Sequence, residues 1–242
     1  MCTVTFIPAK DKFFITSNRD EKILRNPALS PTAYSLEGAN IIFPKDSGAG
    51  GTWIAMHENG KAIVLLNGCF KKHTPTPPYI KSRGIVLLEV IKTISPFKTF
   101  SELNLSGVEP FTLVLLDNSV LYECRWDGKI KYQKELNPTK SYIWSSVTLY
   151  NEEIIQKREQ WFKEWLAKNP QPTMRDILNF HLFTGDGDKH NDLRMNRNGE
   201  MLTLSVTGME INNEKGIMQY HDLLKNELYK QELNFTSSYA IQ

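Results

Sequence analysis

The opening stretch MCTVTFIPAKDKFFITSNRDE, residues 1–21, sets a cysteine directly behind Met1 and then turns at once to strand chemistry. Residues 2–8 and 13–17 are rich in β-branched and aromatic side chains, and the turn-prone AKDK between them predicts a hairpin. The second strand of that hairpin returns toward the start of the first, so Arg19 and Asp20 are expected within side-chain reach of Cys2. Methionine aminopeptidases remove Met1 when the second residue is small. The mature chain would then begin with a thiol and an α-amine on one residue. With reference pKa values of about 7.7–8.0 for the amine and about 8.5 for the thiol, such a residue supplies both nucleophile and base. Arg19 can stabilise a thiolate, and Asp20 can hold the charged amine through a charge-assisted hydrogen bond. Two plainer readings stand beside this one: a strand cysteine of no consequence, and Asn18-x-x-Glu21 as a helix capping box.

Working outward, residues 25–51 (RNPALSPTAYSLEGANIIFPKDSGAGG) are heavy in Pro, Gly, Ser and Asn and read as a loop-rich stretch. GTWIAM and KAIVLLNG flank HENG, a second hairpin with an Asn-Gly turn. Gly50 and Gly51 allow close backbone approach. Asn67, at the end of its apolar strand, can turn its amide into a pocket as an oxyanion donor or simply make a turn with Gly68. Helices are expected over 82–94, over PFKTFSELN, from Asn151, and from a Thr173 cap. PFTLVLLD, SVLYECRW, KIKYQKEL and SYIWSSVTL read as central strands, MLTLSVTGMEI and GIMQYHDL as late ones, and the last 18 or so residues as polar periphery. This order is not the alternation of a doubly wound sheet. It suits an α+β protein of stacked antiparallel sheets covered by helices, in one domain spanning 1–242.

Composition narrows the function classes. The chain has 242 residues, 40% hydrophobic and 23% charged, and its 29 basic and 27 acidic residues leave a formal net charge of +2. That balance offers nothing to nucleic acid or to an anionic membrane. Three cysteines, Cys2, Cys69 and Cys124, form no disulfide framework and no metal spacing. Cys124 reads as an inert buried thiol, whereas Cys69, four residues before His73, is a rival nucleophile. GDGDKHND, residues 185–192, lacks the sixth-position glycine and closing glutamate of a calcium loop and reads as solvated. The first residues lack the basic start and apolar run of a signal peptide, and no apolar run is long enough to cross a bilayer. A cytoplasmic protein without integral membrane association is expected.

Cys2, then Asn18-Arg19-Asp20-Glu21, then Asp46 ahead of Gly50-Gly51-Thr52-Trp53, then Leu66-Asn67 resembles the NRDE family, also called the transport-and-Golgi-organisation 2 family. The likeness is strongest over residues 2 to 70. It implies the fold of the N-terminal-nucleophile hydrolases, a four-layer αββα sandwich of two stacked antiparallel sheets between helices. Penicillin V acylases and bile-salt hydrolases are similar in using an N-terminal cysteine followed by an arginine and an aspartate. Their cysteine-to-arginine interval is one residue shorter, which leaves Asp20 and Glu21 both open as partner of the amine. They also use a later asparagine, where this chain has Ser145 and Ser146.

What the resemblance implies for function is a cysteine amidohydrolase acting on a small-molecule or short-peptide C–N bond after loss of Met1. Cys2, Arg19, Asp20 and Asn67 would be its catalytic residues, with Asn18, Glu21 and Trp53 on the substrate and with neither metal nor cofactor. The competing expectation, also from the family, is a haem- or lipid-binding or trafficking protein that kept the fold without turnover. Either way the partner is a small molecule.

Overall fold

The computed structural model describes residues 3–236, so Met1, Cys2 and 237–242 lie outside the described residues. The chain begins with the expected hairpin, β1 (Thr3–Pro8) and β2 (Lys12–Lys22), with Thr3 opposite Asn18. The NRDE segment is therefore strand, and the capping-box reading falls. β3 (Leu29–Leu36), β4 (Ala39–Lys45), β5 (Ile54–His57) and β6 (Ala62–Asn67) follow. Then come the helices α1 (Arg83–Ile91) and α2 (Pro96–Glu102). β7 (Phe111–Asp117), β8 (Val120–Trp126), β9 (Lys131–Leu136) and β10 (Tyr142–Ser145) lead to α3 (Glu152–Lys168) and α4 (Met174–Phe183). The short β11 (Asn196–Arg197), β12 (Met201–Asn212), β13 (Lys215–Asp222) and β14 (Glu227–Asn234) complete the described residues.

Two antiparallel sheets result. One runs β10-β1-β2-β12-β13-β14 with β11 attached to β12, and the other runs in chain order from β3 to β9. α1 and α2 pack on the second sheet, α3 and α4 on the first. The four-layer αββα sandwich is as expected. Its largest core includes the space between the sheets, where Val4, Phe6 and Ile15 face Ile42, Ile54, Val64 and Val114. A second core, with Ile7, Phe14 and Val206 against Ile177, Leu178 and Phe180, lies beneath the helices.

The loop-rich reading of 25–51 is overturned by β3 and β4. Glu37 and Gly38 both have positive φ (53° and 86°) between the paired Leu36 and Ala39, the two-residue hairpin turn that suits strand twist. Pro31 is tolerated because β3 is an edge strand and its register shifts between Leu29 and Thr32. The polar tail is likewise a strand, β14, at the edge of the first sheet, alternating exposed and half-buried residues. The helix starts agree with the sequence. Asn151 caps α3 by accepting from the Ile154 N–H, and Thr173 and Asp176 form a reciprocal capping box on α4.

Candidate active site

Strand alternation divides the NRDE segment between two faces. Phe13 and Ile15 of β2 belong to the core between the sheets, and Phe14 to the core beneath the helices. By the same period of two, Arg19 points between the sheets while Asn18 and Asp20 point toward the helical layer. Opposite them β12 carries a bulge: Asp20 pairs with Thr203 and Arg19 with Ser205, leaving Leu204 as the extra residue.

On the inner face, the buried Arg19 lies 3.3 Å from Asp46 Oδ2 and stacks over the Trp53 ring at 4.7 Å from its centroid. Asp46 also accepts from Arg25 Nε at 2.9 Å and from the Gly48 and Ala49 N–H groups at 3.1 and 2.8 Å. Burial pushes the Asp46 carboxyl up, but the Ala49 N–H and the Arg25 and Arg19 guanidiniums outweigh it and hold the pKa below the usual range. Glu21 takes the other end of Arg25 at 3.2 Å. Arg19, Glu21, Trp53 and Asn67 line one cleft together with Asp46 and Arg83. Arg83, the first residue of α1, is anchored on Glu109 at 3.0 Å.

Asn67 closes β6. Its carbonyl accepts from Ser146 Oγ at 2.7 Å, and among the described residues its side-chain amide has no hydrogen-bond partner. Gly68 follows with φ of 84°, and a Cβ there would meet Val147 Cγ2 at 2.6 Å. The Trp53 indole N–H is buried and likewise unpartnered among the described residues. The cleft is thus lined by the Asn67 side chain beside a clamped guanidinium, while the Trp53 N–H is enclosed.

The floor of the cleft depends on a glycine contact. A Cβ on Gly51 would lie 2.5 Å from the Gly84 carbonyl carbon, and one on Gly84 would lie 2.7 Å from the Thr52 oxygen. Gly51→Ala is expected to lower stability by roughly 1–3 kcal/mol, because backbone cannot yield as a side-chain end can. Chemical denaturation reads this directly, and a loss below about 0.5 kcal/mol would mean that α1 is free to slide.

On the outer face, Asp20 accepts from Tyr150 Oη at 2.8 Å and from Thr203 Oγ1 at 2.5 Å. The two open partners of the amine, Asp20 and Glu21, therefore lie on opposite sides of the sheet. Asn18 is fully buried, with Nδ2 donating to Leu193 O at 2.7 Å and Oδ1 meeting His181 Nδ1 at 2.5 Å. His181 Nε2 in turn lies 2.8 Å from Thr5 Oγ1. These bonds tie β1 and β2 to α4 and place Asn18 away from the cleft. Burial, and the nearby Arg158 guanidinium, push the His181 pKa down to about 3.

Cys2 lies outside the described residues. The other cysteines are poorly suited to nucleophilic work. Burial raises the Cys69 thiol to about 11 and Cys124 to about 12. His73 bonds Glu109 at 3.1 Å rather than Cys69, so there is no Cys-His pair there. Tyr150, Thr203, Arg25 and Arg83 join the two faces of the site without any local motif; only Arg83, one residue behind the Ser82 cap of α1, stood in a segment already read as a helix start.

The arrangement has structural counterparts. An N-acylethanolamine-hydrolyzing acid amidase orthologue from Caenorhabditis elegans superposes with a TM-score of 0.60 at 11% identity, over 86% of this chain and 92% of that one. A variant of conjugated bile acid hydrolase from Clostridium perfringens gives 0.59 at 11% identity over 100% and 99%. Penicillin V acylase from Agrobacterium tumefaciens gives 0.57 at 10% over 95% and 85%. At such identities the likeness shows the fold, that of the N-terminal-nucleophile hydrolases. No curated protein matches the sequence closely enough to count as a relative. The profile of the family described as Transport and Golgi organisation 2, however, matches residues 1–222, nearly the whole chain, and with the NRDE segment split across β2 as described, the protein belongs to that family.

Proposed function

We propose that the protein is a cysteine N-terminal-nucleophile amidohydrolase that cleaves a C–N amide of a small molecule or short peptide once Met1 is removed. The observation that carries this reading is the β1–β2 register. Thr3 pairs with Asn18, immediately before Arg19 on the inner face and two residues before Asp20 on the outer one. Residue 2 is bonded directly to Thr3, and Arg19, the neighbour of Thr3's partner Asn18, lines the cleft together with Trp53 and Asn67. The names of the structural neighbours, an acid amidase, a conjugated bile acid hydrolase and a penicillin acylase, support an amide as the bond attacked.

In this mechanism the Cys2 amine takes the thiol proton and the sulfur attacks the carbonyl carbon. Arg19 stabilises the thiolate, Asp20 orients the amine, and the Asn67 amide with backbone N–H groups receives the oxyanion. The C–N bond breaks as the amine returns its proton to the leaving nitrogen, leaving a thioester on Cys2. Water then adds to the thioester, the free acid departs, and the thiol is restored.

The test is the intact mass of protein expressed in cells, before and after brief iodoacetamide treatment near pH 6. Loss of Met1 with rapid alkylation confined to Cys2 is expected, since burial keeps Cys69 and Cys124 protonated. A retained Met1, or labelling no faster than an ordinary thiol, would instead favour a non-catalytic haem- or lipid-binding protein on the same fold.

A further inference from the structure

The amidohydrolase mechanism makes no use of Arg83, which opens α1 and lines the cleft with its side chain 18% exposed. Its Nη2 lies 3.0 Å from Glu109 Oε2, and its Nη1 reaches the Pro110 carbonyl only at 3.4 Å. Among the described residues its Nε has no hydrogen-bond partner. Glu109 is itself shared with His73, whose Nε2 lies 3.1 Å from the other carboxylate oxygen. Burial lowers the Arg83 pKa, and the Glu109 carboxylate offsets this only in part. Beside it, Ser82 Oγ accepts the Ile85 N–H as the cap of α1, which leaves the hydroxyl its own hydrogen to donate.

The other two guanidiniums of the cleft are committed. Arg25 gives Nε and Nη2 to Asp46 and Nη1 to Glu21, and Arg19 is held by Asp46. Three guanidiniums thus line the cleft with two carboxylates, Glu21 and Asp46. Those carboxylates oppose a second negative charge on any ligand, so the surplus suits a monoanion better than a phosphate dianion. The cleft has a volume of about 110 Å³. A cavity of about 150 Å³ holds a benzene ring, so here only a carboxylate on a short stem enters, and a larger ligand body stays outside.

We propose that the α1 end of the cleft is a carboxylate-binding site, in which Arg83 and the Ser82 hydroxyl hold the carboxylate of a small monoanionic ligand. Arg83 supplies the charge and its unused Nε–H, Ser82 supplies a second donor, and Glu109 anchors the guanidinium from its other end. The site needs no turnover. Combined with the amidohydrolase reading, on which it does not itself depend, it names the substrate class: amides that carry a free carboxylate away from the scissile bond. Arg19 and Asn67 keep their roles in that mechanism, since neither is asked to hold this carboxylate.

The experiment titrates hexanoate, hexanamide and inorganic phosphate into the ¹⁵N-labelled full chain and follows its backbone amide resonances. Hexanoate is expected to shift Arg83 and Gly84, with the neutral hexanamide bound at least about ten-fold more weakly and phosphate also more weakly. Arg83→Gln is expected to weaken hexanoate by about ten-fold or more, and Arg83→Lys, which keeps the charge, by less. Should Arg83→Gln not fold, the ratio of hexanoate to hexanamide affinity in wild type decides, because it reads the charge without a substitution. Equal affinity for the two, shifts confined to other parts of the protein, or binding untouched by Arg83→Gln overturns the inference. Phosphate held more tightly than hexanoate overturns the choice of carboxylate. Hexanoate held at Arg83 by a protein that cleaves no amide supports the site and sinks the amidohydrolase reading. Amide turnover without hexanoate binding does the reverse.

Discussion

Cys2→Ala, in protein whose Met1 has been removed, is expected to lower amide turnover by at least about 10⁴-fold, with substrate binding largely preserved. The size follows from the division of labour. Sulfur supplies the bond-forming electron pair, and no second thiol can replace it, because burial holds Cys69 and Cys124 protonated with pKa values of about 11 and 12. Arg19, Asn67 and the Trp53 ring line the cleft independently of residue 2 and would still hold a ligand. The measurement is single-turnover release of amine from a panel of acyl amides, beside calorimetric binding of the best of them. Turnover that survives the substitution sinks the cysteine mechanism, and binding that survives without any wild-type turnover points to a carrier. Asp20→Asn should act on kcat more than on KM, since Asp20 lies on the face away from the cleft.

The second large effect is a loss of stability in mild acid, carried by His181. Burial depresses its folded pKa to about 3, against about 6.5 in an unfolded chain. Below pH 6.5 the unfolded state therefore binds a proton that the folded state refuses. The neutral, buried imidazole contributes its full stability above the unfolded pKa and loses it progressively as pH falls toward 3. Linkage puts the loss at about 2 kcal/mol by pH 5. His57 and His221, also pushed down by burial, act in the same direction. The difference between wild type and His181→Asn isolates the His181 share. Urea denaturation at pH 7 and pH 5 should show wild type losing markedly more stability than the variant. Equal losses would mean that the imidazole finds water or an acid partner in the folded protein. The variant will also be weaker at pH 7, since it gives up the Thr5 and Asn18 hydrogen bonds.

Much of the frame was readable in advance because its causes are local. β-branched runs around AKDK make the first hairpin whatever lies elsewhere, and Asn151 and Thr173 cap their helices through bonds that span three residues. β3 and β4 escaped because Pro31, Gly38 and the serines around them carry the composition of a loop; only the edge position and the register shift make a strand of such residues. β14 escaped because an edge strand with one wet face need not be hydrophobic.

The same division holds within the site. The sequence by itself determined the family, through Cys2, the NRDE segment and Gly50-Gly51-Thr52-Trp53, and with it the stacked sheets. Arg19 and Asp20 fall on opposite faces because β2 runs on through the NRDE segment to Lys22, beyond the strand read from the sequence. Only the tertiary structure decided what each face meets: Asp46 and Trp53 for Arg19, Tyr150 and Thr203 for Asp20, His181 and Leu193 for Asn18. Most of those partners stand more than 100 positions along the chain. Local preference extends over a few residues, whereas a contact of that range exists only once two sheets and four helices have closed around it.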